Sequence, residues 1–201
     1  MIRSSILLAA TFFIAQISMA QRLDVFGGFN LSGMKHTIDG DRQDGTGRFK
    51  YHLGFSVFVP FDAKDYKDGD EASGVYPSFQ YVRRGVSKST IINNSAADID
   101  LSYAQFNLPY SFLAGWYAIG IGPYAAYCLS GKKDFRVGTT GKEKIDFKNE
   151  FKRLDYGASV NMQLGLFNIR YDLGLANLTQ VAGQSVKSRN FSISLVIPIV
   201  E

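Results

Sequence analysis

Between Arg153 and Leu173 the chain alternates strictly between apolar and polar residues, and no other feature constrains its fold as tightly. One parity carries Leu154, Tyr156, Ala158, Val160, Met162 and Leu164, the other Arg153, Asp155, Ser159, Asn161 and Gln163. After Gly165 the pattern resumes, with Phe167, Ile169, Tyr171 and Leu173 set against Asn168, Arg170 and Asp172. A period of two means two β-strands, each with one apolar and one polar face. Full charges occupy mid-strand positions on the polar face. Two architectures accommodate this: a soluble sandwich with its polar face in water, and a transmembrane barrel with lipid outside and charges in the lumen.

The pattern recurs along the chain. Apolar parity sets occur at Leu23, Val25, Phe29 and Leu31; at Phe49, Tyr51, Leu53, Phe55, Val57 and Val59; and at Val75, Phe79 and Tyr81. Further sets are Phe106, Leu108 and Tyr110; Tyr117, Ile119, Ile121, Ala125 and Tyr127; and Phe191, Ile193, Leu195, Ile197 and Ile199. With the opening pair these predict eight strands of roughly ten residues, the length a tilted strand needs to cross a bilayer. No helix of three or more turns fits after residue 20, so the chain reads as all-β.

Residues 1–20 read as a secretory signal peptide, with Arg3 in the n-region, an apolar run from Ile6 to Ile17, and Ser18-Met19-Ala20 before the cut. The run is too short to span a bilayer as a helix. Residues 21–201 then form one domain. Removing Arg3 lowers the formal charge from +4 to +3, too mild a basicity to argue for nucleic acid. Cys128 is the only cysteine, so no internal disulfide staples the fold. Closure of a barrel within a membrane supplies stability by another route.

With the first strand running upward, the upper loops fall at about 33–48, 86–97, 130–150 and 177–188, and all are long and polar. Two lower turns are short, at Ser111–Gly115 and at Gly165. Long and short connections alternating, with both mature termini on the short, periplasmic side, is the outer-membrane arrangement. The remaining lower connection, Asp62–Ser73, is long and acidic, with Asp62, Asp65, Asp68, Asp70 and Glu71, and reads as a solvated insertion. Tyr117 and Tyr127 lie ten residues apart on one apolar parity, a spacing that sets two aromatics at opposite edges of an apolar band of ~25 Å.

Eight strands enclose an interior that side chains just fill. The inward set includes Asp24, Lys50, His52, Arg84, Arg153, Asp155, Arg170 and Asp172. Buried charges persist only when paired, so these read as a structural plug, with Arg153 or Arg170 facing Asp155, Asp172 or Asp24. A narrow ion path is the alternative. Gly120 and Gly122 read as small inward positions that make room for long side chains from across the lumen.

Catalysis has little to draw on. His52 falls on the inward parity, and His36 falls in the first upper loop near Asp39 and Asp41, a weak metal signal set against a solvated loop. No serine forms a motif with either histidine, and Gly115, Gly120 and Gly122 precede no helix, as a nucleotide loop requires. The chain therefore reads as a non-enzyme, with no cofactor or metal implied. The third upper loop interleaves Lys132, Lys133, Arg136, Lys142, Lys144 and Lys148 with Asp134, Glu143, Asp146 and Glu150. It reads as solvated, with contact to anionic lipopolysaccharide as the sharper alternative.

The segment Leu101-Ser-Tyr-Ala-Gln-Phe-Asn-Leu-Pro-Tyr110, followed by Gly120-Ile-Gly-Pro-Tyr-Ala-Ala-Tyr-Cys-Leu-Ser130, resembles the core of the PorT-type outer-membrane β-barrel proteins of the Bacteroidota. Gly28-Phe-Asn-Leu-Ser32, Tyr76-Pro-Ser-Phe-Gln-Tyr81 with Gly85, and Arg170-Tyr-Asp-Leu-Gly-Leu-Ala-Asn-Leu178 extend the resemblance over nearly all of residues 21–201. It implies an eight-stranded antiparallel up-and-down transmembrane barrel, and some members are linked to the type IX secretion and gliding apparatus. Two departures are the ending Ile197-Pro-Ile-Val-Glu201, which lacks the terminal aromatic offered to the assembly machinery, and the long insertion at 62–73.

The implied partners are outer-membrane lipid, lipopolysaccharide, the outer-membrane assembly machinery and secretion-apparatus proteins. Function then divides between a structural or interaction barrel acting through its loops and an accessory secretion subunit. The soluble rival is a lipocalin-like carrier, which would bury the apolar parity around a ligand.

Overall fold

The computed structural model describes residues 22–42, 45–62, 71–89, 97–135 and 141–200. Residues 1–20, read above as a leader, and residues 63–70 of the acidic connection lie outside this set. Every regular element among the described residues is a β-strand. They are β1 (Arg22–Ile38), β2 (Asp41–Arg42), β3 (Thr46–Pro60), β4 (Ala72–Val75), β5 (Ser78–Ser89), β6 (Ala97–Asn107), β7 (Tyr110–Ala114), β8 (Tyr117–Phe135), β9 (Gly141–Lys144), β10 (Leu154–Leu164), β11 (Phe167–Gly174) and β12 (Gln184–Val200).

All ladders are antiparallel. They run β1–β3–β5–β6–β8–β10–β11–β12, and β12 returns to β1 with Phe29 opposite Ile193. This is the eight-stranded up-and-down barrel that the alternation predicts. Closure leaves no lateral row of unpaired backbone groups, which is the condition lipid imposes.

Two of the eight strands are broken by proline. β4 is the lower end of β5, set off at Tyr76–Pro77, and β7 is the lower end of β6, set off at Leu108–Pro109. Proline has no N–H for the ladder, so only its carbonyl is used. Val57 N–H donates to the Pro77 carbonyl and Tyr76 N–H to the Pro109 carbonyl, each at 3.0 Å. The turn expected over Ser111–Gly115 shrinks to Gly115–Trp116, because residues 111–114 belong to β7. Gly115 and Gly165 hold this turn and the β10–β11 turn at φ 58° and 54°, left-handed values that cost glycine little.

The wall is apolar outside and polar inside. Phe29, Phe49 and Ile121 are 72%, 77% and 60% exposed, whereas Asp24, Gln105, Asp155 and Asp172 are fully buried. A water-soluble barrel has the opposite polarity, and so the lipocalin-like reading falls. Of the two glycines expected to make room for side chains, Gly120 does so for Ser111 and Asn161, whereas Gly122 has a different role. A Cβ on Gly122 would lie 2.2 Å from the Leu108 carbonyl oxygen, so the position accommodates the neighbouring backbone at the proline break.

The upper end departs from the expectation of solvated loops. β1 continues to Ile38, which puts His36 inside the wall, buried and within 3.1 Å of Gln184 Oε1. In β8 an extra residue at Leu129 shifts the register with β6, from Tyr103 opposite Cys128 to Ser102 opposite Ser130. Such a bulge exchanges the two faces beyond it. Lys133 consequently turns inward and pairs with Glu150 at 2.7 Å and Glu143 at 3.5 Å. Ile145 and Leu178, from connections read as polar, fold over the barrel mouth with Phe151. They join Met34, Val86, Ile99, Leu101 and Val186 in one apolar cluster.

Candidate functional site: the filled lumen

Below that apolar lid the lumen holds two buried ion pairs. The Arg84 guanidinium of β5 lies 2.6 Å from Asp155 of β10 and 3.5 Å from Asp172 of β11. Arg170 of β11 lies 3.6 Å from Asp172 and donates to Gln80 of β5. Two cations and two carboxylates balance, which is what burial requires of charge.

Hydrogen bonds tie the carboxylates to neighbouring strands, although Oδ1 of Asp155 makes none. Asp155 accepts from Ser188 at 2.6 Å and from the Tyr124 hydroxyl at 3.1 Å. Asp172 accepts from Ser159 at 2.8 Å and from Gln105 at 3.1 Å, while Arg84 donates to Gln105 Oε1 at 2.6 Å. The Arg84 guanidinium also lies over the rings of Tyr103 and Tyr124, 5.1 and 5.5 Å from their centroids. Asn30 of β1 bonds Asn190 of β12 at 2.9 Å, and His52 of β3 bonds Ser194 of β12 at 2.7 Å. All eight wall strands thus contribute a polar side chain to the interior.

Not every residue of the predicted inward set joins this centre. Asp24 lies at the lower mouth, bonded to the Tyr76 hydroxyl and to Arg22 at 2.9 Å. Lys50 crosses over Gly85 to reach Asp100 at 2.5 Å, on the face of β5 and β6 opposite Arg84. Arg153 precedes β10 and does not enter the lumen. Its guanidinium stacks 4.1 Å from the Phe147 centroid, lies 5.8 Å from that of Tyr127, and donates to the Cys128 carbonyl at 2.9 Å. The expected cross-strand pairing of Asp155 with Arg170 also fails. The ladder sets Arg170 opposite Asn161 and Asp172 opposite Ser159, leaving Asp155 above the last β11 pair. Arg84 bridges the gap from a non-adjacent strand, which no pairing of neighbours along the chain reveals. Tyr103 and Tyr124 were also missed, although an aromatic on a polar parity is a signal for such a partner.

Below the ion pairs, Ser78, Asn107, Asn161, Asn168 and Arg170 line a cavity of about 30 Å³, room for about two waters. Phe58, Ala72, Tyr76, Leu113 and Ala118 form a second apolar cluster near the lower end. Tyr117 stands outward at the lower end of β8 and Tyr127 outward at its middle, 39% and 51% exposed. In the third upper loop, the Lys148 N–H and the Asn149 amide donate to Asp146 and hold its carboxyl below the usual range. Among the described residues no three His, Cys, Asp or Glu side chains cluster as a metal site would require.

Residues 15–180 match a family model described as outer membrane protein beta-barrel domain. Among solved structures, the chain is similar to Ail, the attachment invasion locus protein of Yersinia pestis, crystallised with the heparin analogue sucrose octasulfate. Identity is 16%, over 89% of this chain and 100% of that one, with a TM-score of 0.43. Neisserial surface protein A is 9% identical, over 86% of this chain and 96% of that one, with a TM-score of 0.48. No curated protein matches.

Proposed function

The chain belongs to the outer membrane protein beta-barrel domain family, and on that premise we propose that it is a non-enzymatic, lumen-filled barrel acting through its upper hairpins. The observation that carries this reading is the Arg84–Asp155–Asp172 centre, which fills the mid-lumen with balanced charge. Apolar clusters lie above and below it, so the interior serves as a rigid core and the outer surface makes the contacts. In this reading residues 1–20 are the cleaved leader, both mature termini face the periplasm, and Tyr117 and Tyr127 mark the two lipid–water interfaces. Cell fractionation followed by electrophoresis with and without heating tests it. The protein is expected in the outer-membrane fraction, with a heat-dependent change in mobility. Recovery from the periplasm without detergent overturns it.

A second reading, an accessory outer-membrane subunit of a type IX-like secretion apparatus, draws on the resemblance of residues 101–110 and 120–130 to PorT-type proteins. The acidic connection 62–73 would then be the docking element. Co-purification of secretion components, lost when 63–70 is replaced by a Gly/Ser linker, separates the two.

A further inference from the structure

The outer face of the β1–β12 seam carries three cations, Lys35, Lys187 and Arg189. Lys35 and Lys187 are directly opposed cross-strand partners, and Arg189 follows on the same face, opposite Gly33 on β1 and Leu173 on β11. Like charges directly opposite one another in an antiparallel pair are destabilising. Among the described residues no carboxylate pairs with any of the three. Several other basic groups near the upper margin have partners, although Lys132 and Lys144 also oppose one another across β8 and β9. Arg48 and Lys50 face Asp98 and Asp100, Lys133 faces Glu143 and Glu150, and Arg83 and Arg153 lie over aromatic rings.

The height of the three is also specific. Below Arg189 the outward residues of β12 are Phe191, Ile193, Leu195, Ile197 and Ile199. Eight steps of ~3.4 Å, tilted ~40°, make an apolar stripe about 20 Å tall, close to the ~25 Å band of a barrel in lipid. The cations begin one outward position above that stripe, where lipid head groups lie. Leu31 and Leu173 flank the same edge and are exposed. Lysine and arginine stems can lie along such apolar surface while their heads reach phosphate.

The geometry points to a binding site for a phosphorylated glycolipid of the outer leaflet, its phosphate seated between Lys35 and Lys187 with Arg189 beside it and its acyl chains along Phe191 and Leu173. The site rests on the outer-membrane reading above. It differs from contact through the third loop, because it lies on the barrel wall. Soluble polyanions share the phosphate chemistry, but the acyl-sized apolar stripe directly beneath favours the lipid.

The test is native mass spectrometry of the detergent-solubilised full barrel with bisphosphorylated lipid A, dephosphorylated lipid A and inositol hexakisphosphate. Wild type should retain bisphosphorylated lipid A at least tenfold better than the dephosphorylated form. K35Q/K187Q/R189Q should lose that preference, while K144Q/K148Q/K152Q keeps it. Equal retention of the two lipids by wild type, or an unchanged preference in the seam variant, overturns the site. Hexakisphosphate binding that disappears in the seam variant while lipid A binding survives also overturns it, because the cations would then serve a soluble polyanion. The wild-type comparison stands even if the triple variant folds poorly. Absence of heat-dependent mobility in wild type would instead mark failure of the membrane reading.

Discussion

Arg84 and Asp155 are 71 residues apart in the chain and meet at 2.6 Å inside the barrel, on strands separated by two others. Arg84 also reaches Asp172, so one guanidinium ties β5 to β10 and β11 across the lumen. Replacing it with alanine leaves two carboxylates without that cation in a buried setting. Arg84→Ala should destabilise the refolded barrel by about 3–5 kcal/mol. Urea unfolding in lipid vesicles measures this, and a loss under ~1 kcal/mol would show the pair to be hydrated. The Arg84→Ala/Asp155→Asn double variant should cost less than the sum of the two single changes, since the partners share one interaction.

The same centre predicts electrical silence. With the two ion pairs at mid-depth and apolar clusters at both ends, planar-bilayer recordings of the intact protein should show no steady conductance. Stable ion-selective openings that change in Arg170→Ala would establish a pore and end the plug reading.

Lipid and lumen faces should respond differently to substitution. Ile121 is 60% exposed on the outer wall, and Ile121→Arg should cost roughly 2–4 kcal/mol. The same change at Asn161, on the lumen face of the adjacent strand opposite Gly120, should cost less. Comparable losses in a vesicle-folding assay would mean the faces are wrongly assigned.

Cys128 reports on the upper barrel. Its side chain is fully buried among Val82, Tyr103 and Phe151, so a maleimide-polyethylene glycol reagent should leave the folded protein unmodified. After heating in detergent, labelling should be complete. Rapid labelling of the unheated form would show that the apolar lid opens on the labelling timescale.

Backbone proximity gives a sharper contrast. Gly122→Val should block assembly, because even a Cβ there would collide with the Leu108 carbonyl, whereas a Cβ on Gly33 meets nothing within 4 Å. Gly33→Ala should therefore retain the heat-dependent mobility that Gly122→Val loses.

Much of the fold was legible because a barrel in lipid writes its orientation into every second residue. Phe29, Tyr51, Ile121, Tyr156 and Phe191 lie on the outside as their parity requires, and Asp155, Arg170 and Asp172 on the inside. Both tight lower turns were marked by glycine, with only the β7 residues misplaced. Alternation is a local property, so the chain alone determined strand number, strand faces and the closed antiparallel architecture. It did not determine the partners. Parity places a side chain on a face, whereas strand stagger and bulges decide which residues meet at one depth. The register of β10 with β11 moved Asp155 away from Arg170, the bulge at Leu129 turned Lys133 inward, and the end of β10 at Leu154 left Arg153 outside. The union of Arg84 with Asp155, and the opposed Lys35 and Lys187 above the apolar stripe, arise only when the sheet closes at its own stagger.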